Sequence, residues 1–241
     1  RLSDRAPLED LASGEEQQPA DLCDAEAVER LVAGVDGILH LGGFSVEGPW
    51  ETILESNIVG TYNLYEAAYR AGVPRIVFAS SNHAVGFYRR DETIDAAAPP
   101  RPDSRYGVSK AFGEALASLY ADKYGIATLS IRIGNVDVRP VDIRRLAIWI
   151  SPRDLAQLIE IGLEHPDLRH EIVYGMSDNA RAWWDNGNAR RLGYRPQDRS
   201  EDYAAEVMAG AAPDDGDARA ETYQGGPFVV VESGGDPQKP V

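Results

Sequence analysis

An α/β fold built on a doubly wound parallel sheet is what this 241-residue sequence predicts, and three observations carry the prediction. Short, β-branched apolar runs of strand length alternate with amphipathic runs of helix length. The strand-length runs are apolar enough to be buried parallel strands. Glycine and proline punctuate the junctions, as where Gly72 ends a helical pattern and Pro74 leads into the next strand.

The elements follow in order. Glu26–Ala33 reads as a helix and Val35–Leu41 (VDGILHL) as a strand. Trp50–Ala71 reads as one long helix, because Ile53, Leu54, Asn57, Ile58, Thr61, Leu64, Tyr65 and Ala68 fall near a 3.6-residue repeat. Arg75–Ser80 (RIVFAS) is a strand, Tyr106–Tyr124 a helix and Ala127–Ile133 (ATLSIRI) a strand. After Ile133 the alternation loosens. Ser151 is an N-cap with Pro152 at the first helical position, opening a helix that stops at His165-Pro166. Glu171–Tyr174 reads as a short strand, and Ala189–Leu192 and Ser200–Ala209 as small helices. From about Ala212 the chain is rich in Gly, Pro and acid and reads as a loop or wrapping arm. No internal repeat is present.

The charge balance narrows the function. With 24 Lys+Arg against 39 Asp+Glu the net charge is −15, which disfavours nucleic acid and anionic membrane as partners. Apolar stretches such as Ile76–Ala79 and Phe228–Val231 fall far short of the roughly 18 residues that span a bilayer. Cys23 is the only cysteine, so there is neither an intrachain disulfide framework nor a Cys-rich zinc site. With no signal-like stretch at its start, a reducing, cytoplasmic setting is expected. The four histidines are scattered, without the spacing of a metal site.

The strongest chemical signal is Tyr106-Gly-Val-Ser-Lys110. Tyr and Lys four apart on a helix project from the same face. A phenol is a weak base at neutral pH unless a nearby cation stabilises its phenolate, and Lys110 can supply that cation. Upstream, Phe78-Ala-Ser-Ser-Asn-His83 crowds polar groups at the carboxyl end of a buried strand, the edge where ligands bind in open α/β sheets. A Ser at a strand end followed by a helical YxxxK forms a Ser/Tyr/Lys constellation. Gly42-Gly43 closes the preceding strand and permits close approach of a ligand to backbone. Asn57 lies on the inner face of the next helix, as a ligand contact or a satisfied core amide. His40 reads as a hydrogen-bonded core residue, His165 and His170 as loop residues, and Trp183-Trp184 as packing.

This combination resembles the extended, epimerase-like branch of the short-chain dehydrogenase/reductase superfamily, whose Rossmann-type core matches the predicted sheet, and within it the uronate dehydrogenases. The matching stretches are Leu41-Gly-Gly-Phe-Ser-Val-Glu47, Phe78–His83, Tyr106–Lys110, Ile131-Arg-Ile-Gly134, Arg144 with Trp149, Trp183-Trp184-Asp185 and Gln224-Gly-Gly-Pro-Phe228. The resemblance implies Tyr106 as catalytic base, Lys110 as its pKa-lowering partner and nicotinamide-ribose ligand, and Ser81 as anchor of the substrate hydroxyl. It places Ser45, Asn82, His83, Asn135 and Arg144 around the sugar, with Phe228 closing the pocket. Asn135 stands where that family often has Ser. Along an NAD cofactor it places Asp4, Asp21, Leu22, Leu41, Gly42, Gly43, Asn57 and Ile133. It implies residues 1–135 as the NAD-binding core and 136–241 as a small substrate-binding portion integrated in the same domain.

The implied reaction is oxidation of the anomeric C1 hydroxyl of galacturonate or glucuronate to the aldarolactone. A guanidinium suits the uronate carboxylate, and Arg144 is the candidate; without the resemblance, a surface Arg beside Asp142 and Arg145 is an equal reading. Alternatives remain: a dehydrogenase of glucose 6-phosphate or a neutral aldose, with Arg139, Arg145 or His83 helping to hold a phosphate; a nucleotide-sugar epimerase or dehydratase, for which the stretch after Ile133 is short; and a non-catalytic NAD(P)-binding scaffold. A homo-oligomer pairing through the two long helices is expected only from the resemblance.

No GxxGxxG phosphate loop occurs in the 241 residues. The chain opens on Arg1-Leu2-Ser3-Asp4, which reads as the end of a second strand, with Asp4 as the acid that takes the adenine-ribose hydroxyls and favours NAD over NADP. A first strand and helix, on the order of 30 residues for a βαβ start, are then expected ahead of it. A chain starting at Arg1 is not expected to bind NAD normally, an expectation that micromolar binding would overturn.

Overall fold

The structure is a computed structural model and describes residues 1–210 and 217–231. The strands are β1 (Ile38–His40), β2 (Arg75–Ser81), β3 (Ala127–Ile133), β4 (Asn135–Val136), β5 (Trp149–Ile150) and β6 (His170–Gly175). The α-helices are α1 (Ala25–Val32), α2 (Trp50–Ile53), α3 (Gly60–Ala71), α4 (Arg105–Tyr124), α5 (Arg145–Ile148), α6 (Pro152–Glu164), α7 (Gly187–Arg191), α8 (Ala204–Ala209) and α9 (Ala218–Thr222). One parallel sheet runs in the order β1-β2-β3-β6, and β4 pairs with β5 beside it.

Side chains alternate across a strand, so neighbouring residues of β2 feed two cores. Ile76 packs with Tyr65 and Ala68 of α3 and Leu116, Ala117 and Tyr120 of α4. Val77 packs with Leu129, Ile131 and Val173 of the adjacent strands and Leu158 of α6. Helices therefore cover both faces, which is the doubly wound arrangement expected from the alternation.

Several elements differ from their predicted extent. The strand over Val35–Leu41 contracts to Ile38–His40, because Val35 still bonds back to Val32 and the chain turns away at Gly43, where φ is +124°. The helix over Trp50–Ala71 is interrupted by a π-turn, Leu54–Val59, that carries Asn57. The strand over Glu171–Tyr174 gains a residue at each end. His170 is thus the first strand residue, opposite Thr128, and not a loop residue. Ser200–Ala209 opens with a 3-10 turn, Ser200–Tyr203, before α8, and the helix near Ala189 is displaced to Gly187–Arg191. Arg1–Asp4 adds no strand to the sheet. Leu2 makes a single parallel bridge to Gln17, while the Arg1 guanidinium donates to the Leu31 and Ala33 carbonyls at the end of α1. Of the predicted arm, residues 217–231 hold α9 and a 3-10 turn, Gly226–Val229; residues 211–216 and 232–241 lie outside the described residues. Among the described residues no helix is long and apolar enough to cross a membrane, and no cluster of His, Cys, Asp and Glu could hold a metal.

The element that matters most for chemistry is α4. Ser104 caps it, its Oγ accepting from the Gly107 N–H at 3.0 Å, while the buried Glu47 carboxylate accepts from the Tyr106 N–H at 3.1 Å. Together they satisfy two of the four orphan donors of the first turn. Gly125 ends the helix in the left-handed region. At Gly113 the helix lies against Phe78 of β2, and a Cβ there would fall 2.3 Å from the buried ring. Gly113→Ala is therefore expected to lower stability by about 1–3 kcal/mol, the usual cost of overpacking, and a urea titration checks it.

Candidate active site

The carboxyl ends of the parallel strands gather the predicted residues. Ser81 closes β2 directly opposite Ile133 of β3, which in turn pairs with Gly175 of β6. Asn82 and His83 continue from Ser81 into a 3-10 turn, and Asn135 follows β3 by two residues. Across this edge α4 presents Tyr106 and Lys110, both buried.

Within the cluster, the His83 ring lies edge-on to Tyr106 at 5.8 Å and stacks on Phe228 at 3.8 Å. The Ser81 hydroxyl accepts from the His83 N–H at 3.2 Å. Burial raises the Tyr106 phenol above its ordinary pKa; the neighbouring Ser81 hydroxyl works in the opposite sense, and the Asp103 charge adds to the rise. Lys110 was expected to lower it; its Nζ stands 5.5 Å from the ring centroid, and burial is the largest influence on the phenol. The Lys110 ammonium itself is pushed down to about 8 by burial. It donates to the Ala79 carbonyl at 2.8 Å, its one protein partner among the described residues. A Lys ammonium carries three donors, so this buried cation has donors left for a ligand.

Among the described residues, three of the seven buried side-chain atoms with no hydrogen-bond partner belong to predicted sugar contacts: Asn82 Nδ2, Asn135 Oδ1 and Arg144 Nε. Buried polar groups are nearly always paired, so such a concentration fits polar contacts supplied by a ligand. Arg144 is tied to the segment that carries Phe228, its Nη2 donating to the Gln224 and Gly225 carbonyls at 2.9 and 3.1 Å. Burial lowers its pKa to about 10. Gln224 locks that segment in place, accepting from Trp184 Nε1 and donating to the Arg89 and Glu92 carbonyls. Trp184 also stacks on Tyr174 at 4.8 Å, the packing role expected of it. Ser45 is exposed on the loop after β1.

The predicted cofactor positions divide into two groups. Lys110, Tyr106 and Ile133 lie at the sheet edge and suit a nicotinamide ribose. Asp4 and Asp21 are exposed, each accepting from a backbone N–H two residues on, and Leu22 packs beside Gly42. Leu41 is 60% exposed at the end of β1. The two glycines answer first to the chain itself: a Cβ on Gly42 would lie 3.0 Å from Leu22, and one on Gly43 2.8 Å from Asn57 Oδ1. Asn57 is a satisfied core amide, bonded to both backbone groups of Phe44 and to Ser109 Oγ. His40 is likewise core, 3.3 Å from Thr61 Oγ1, with its pKa lowered to about 3 by burial and the Lys110 charge.

Sequence reasoning missed three supports of the site. Asp103 holds His83, and Glu47 holds the start of α4. Glu114 forms a buried bidentate pair with Arg132 and accepts from Ser80 Oγ at 2.6 Å, directly beside Ser81. The last was signalled: Glu114 follows Tyr106 and Lys110 at the next four-residue step, and Arg132 interrupts an apolar strand, where a charge needs a partner. A surface cavity of about 420 Å³ lined by Asp95, His170, Glu171, Asp185, Asn188 and Arg191 contains none of the Ser/Tyr/Lys residues, so chemistry and not cavity size locates the site.

The chain is similar to known proteins over nearly its whole length. The chain is 52% identical to a uronate dehydrogenase of Pseudomonas syringae pv. tomato, over 98% of its own length and 86% of that protein. A glucuronic acid dehydrogenase structure from Chromohalobacter salexigens superposes with a TM-score of 0.93 at 50% identity, covering 96% of this chain and 87% of the other. A mutant uronate dehydrogenase from Agrobacterium tumefaciens, complexed with NAD, superposes with a TM-score of 0.90 at 47% identity, covering 95% and 86%. Residues 2–137 match the NAD dependent epimerase/dehydratase family, and the chain belongs to that family.

Proposed function

We propose that the protein oxidises the anomeric carbon of a hexuronate, galacturonate or glucuronate, to the aldarolactone with NAD+. The observation that carries this reading is the buried Ser81/Tyr106/Lys110 cluster set beside unpartnered polar atoms of Asn82, Asn135 and Arg144. Relatives near 50% identity named for uronate oxidation support the substrate class.

The residues present fit the nicotinamide-ribose end of the cofactor, where Lys110 has donors to spare and Tyr106 stands alongside. NAD+, when bound, supplies the acceptor for the hydride that leaves C1. Tyr106 takes the proton from the C1 hydroxyl as the lactone carbonyl forms, a general-base contribution of about 10²–10⁴-fold. Burial favours the neutral phenol, so deprotonation is coupled to the reaction, and the Lys110 cation offsets the phenolate as it develops. Ser81 holds the reacting hydroxyl against Tyr106. Asn82 and Asn135 supply an amide donor and an amide acceptor to the sugar hydroxyls. The Nη1 edge of Arg144, which has no partner among the described residues, receives the carboxylate. The stacked His83 and Phe228 rings wall the pocket and limit water, so that fixed groups replace solvent around C1.

Initial rates of NADH formation test the reading. Galacturonate and glucuronate are expected to turn over, and glucose and glucose 6-phosphate far less. The assay is run on the 241-residue chain alone and with a GxxGxxG strand–helix unit placed ahead of Arg1. Turnover of glucose 6-phosphate without the uronates would select the sugar-phosphate alternative. Arg144→Ala is expected to cut kcat/KM for the uronates by about 10–100-fold, the range of one lost charge-assisted contact, while affecting any neutral aldose much less.

A further inference from the structure

Asp103 lies just ahead of the cap of α4, and its side chain is wholly buried. Its Oδ2 is 2.7 Å from His83 Nδ1, and its Oδ1 accepts from Ser104 Oγ at 2.7 Å. Two separate segments leave room for this carboxylate. A Cβ on Gly86 would fall 1.8 Å from Oδ2, and one on Gly225 would fall 1.9 Å from it. Gly225 belongs to the segment that carries Phe228, and Phe228 stacks on the ring that Asp103 holds. A carboxylate accepts only, so Nδ1 must carry the proton, and Nε2 is left as the ring's one unbonded nitrogen among the described residues.

We propose that Asp103 is a positioning residue for the oxidation: it fixes the tautomer and plane of His83 so that Nε2 meets the sugar acid beside Tyr106. The inference rests on the uronate reading above. Asp103 itself does not touch substrate, since its carboxylate is enclosed. Capping α4 does not account for it, because Ser104 Oγ and Glu47 already serve the Gly107 and Tyr106 amides. The hydrogen bond to His83 ties the turn after β2 to the loop ahead of α4, and loss of the Asp103 charge leaves the ring free to change tautomer. Because Tyr106, and not His83, takes the proton from C1, the effect belongs to substrate binding.

Steady-state kinetics of the holoenzyme with Asp103→Asn, which keeps the shape and removes the charge, test this. The expected result is a rise of about tenfold in KM for the uronate, with kcat and KM for NAD+ much less affected. In a His83→Gln background the same substitution is expected to change KM no further, which a purely structural role would not produce. Nitrogen-15 NMR of the unsubstituted holoenzyme gives a second measure, should Asp103→Asn fail to fold. Nδ1 is expected to be protonated, and Nε2 to shift when galacturonate is added to the NADH complex. An unchanged uronate KM in Asp103→Asn, an undiminished effect in the His83→Gln background, or an Nε2 signal unmoved by the sugar acid would overturn the inference while leaving uronate oxidation standing. Absence of uronate turnover by the unsubstituted enzyme with NAD+ bound would overturn both.

Discussion

Tyr106→Phe is expected to lower kcat for uronate oxidation by about 10²–10⁴-fold, the contribution of a positioned general base, with little change in KM. The ring's packing survives, since Phe keeps the same outline beside His83 and Phe228. What disappears is the phenol oxygen, beside Ser81, that receives the C1 proton. Thermal unfolding is expected to stay close to that of the unsubstituted protein, which separates lost chemistry from lost fold. Turnover within threefold of normal would mean that another group takes the proton.

The second large effect is on stability. Arg132 is 1% exposed and donates to both Glu114 oxygens, at 2.8 and 2.9 Å, with Tyr174 OH as a further partner at 3.3 Å. Burial works against the charged guanidinium, but the Glu114 bonds and charge outweigh it and hold its pKa above the usual value. Arg132→Met leaves a buried carboxylate with only Ser80 and is expected to cost about 3–5 kcal/mol, read as a lower urea midpoint at unchanged slope. Adding Glu114→Leu is expected to recover much of the loss, because a buried pair replaced by apolar groups is often neutral. The double variant also tests placement of the site. Glu114 sits one turn beyond Lys110 and bonds the residue beside Ser81, so restored stability with impaired turnover would assign the pair to aligning α4 against β2.

Legibility in the sequence followed the reach of each interaction. β3 runs over Ala127–Ile133 as predicted, because a buried parallel strand is written in its own apolar residues. The limits of β1 were not readable: its pairing is set by β2, and Val35 is taken up by the turn closing α1. The π-turn was invisible because Asn57 fits a 3.6-residue repeat, and only its partners at Phe44 and Ser109 call for a wider turn. Tyr106 and Lys110 were legible because their relation is local, four residues on one helix. The hold of Asp103 on His83 spans 20 residues and depends on clearance at Gly225, more than a hundred residues further on. Arg144 was read for its charge, yet its bonds to the Gln224 and Gly225 carbonyls appear only once the chain has folded back over the sheet edge.

In the proposed oxidation, hydride leaves C1 of a uronate while Tyr106 takes the proton from its hydroxyl. Galacturonate deuterated at C1, incubated with the enzyme and NAD+, tests it most directly by NMR of both products. Deuterium is expected in the reduced nicotinamide, with none at C1 of the aldarolactone. Deuterium retained in the sugar product would contradict it.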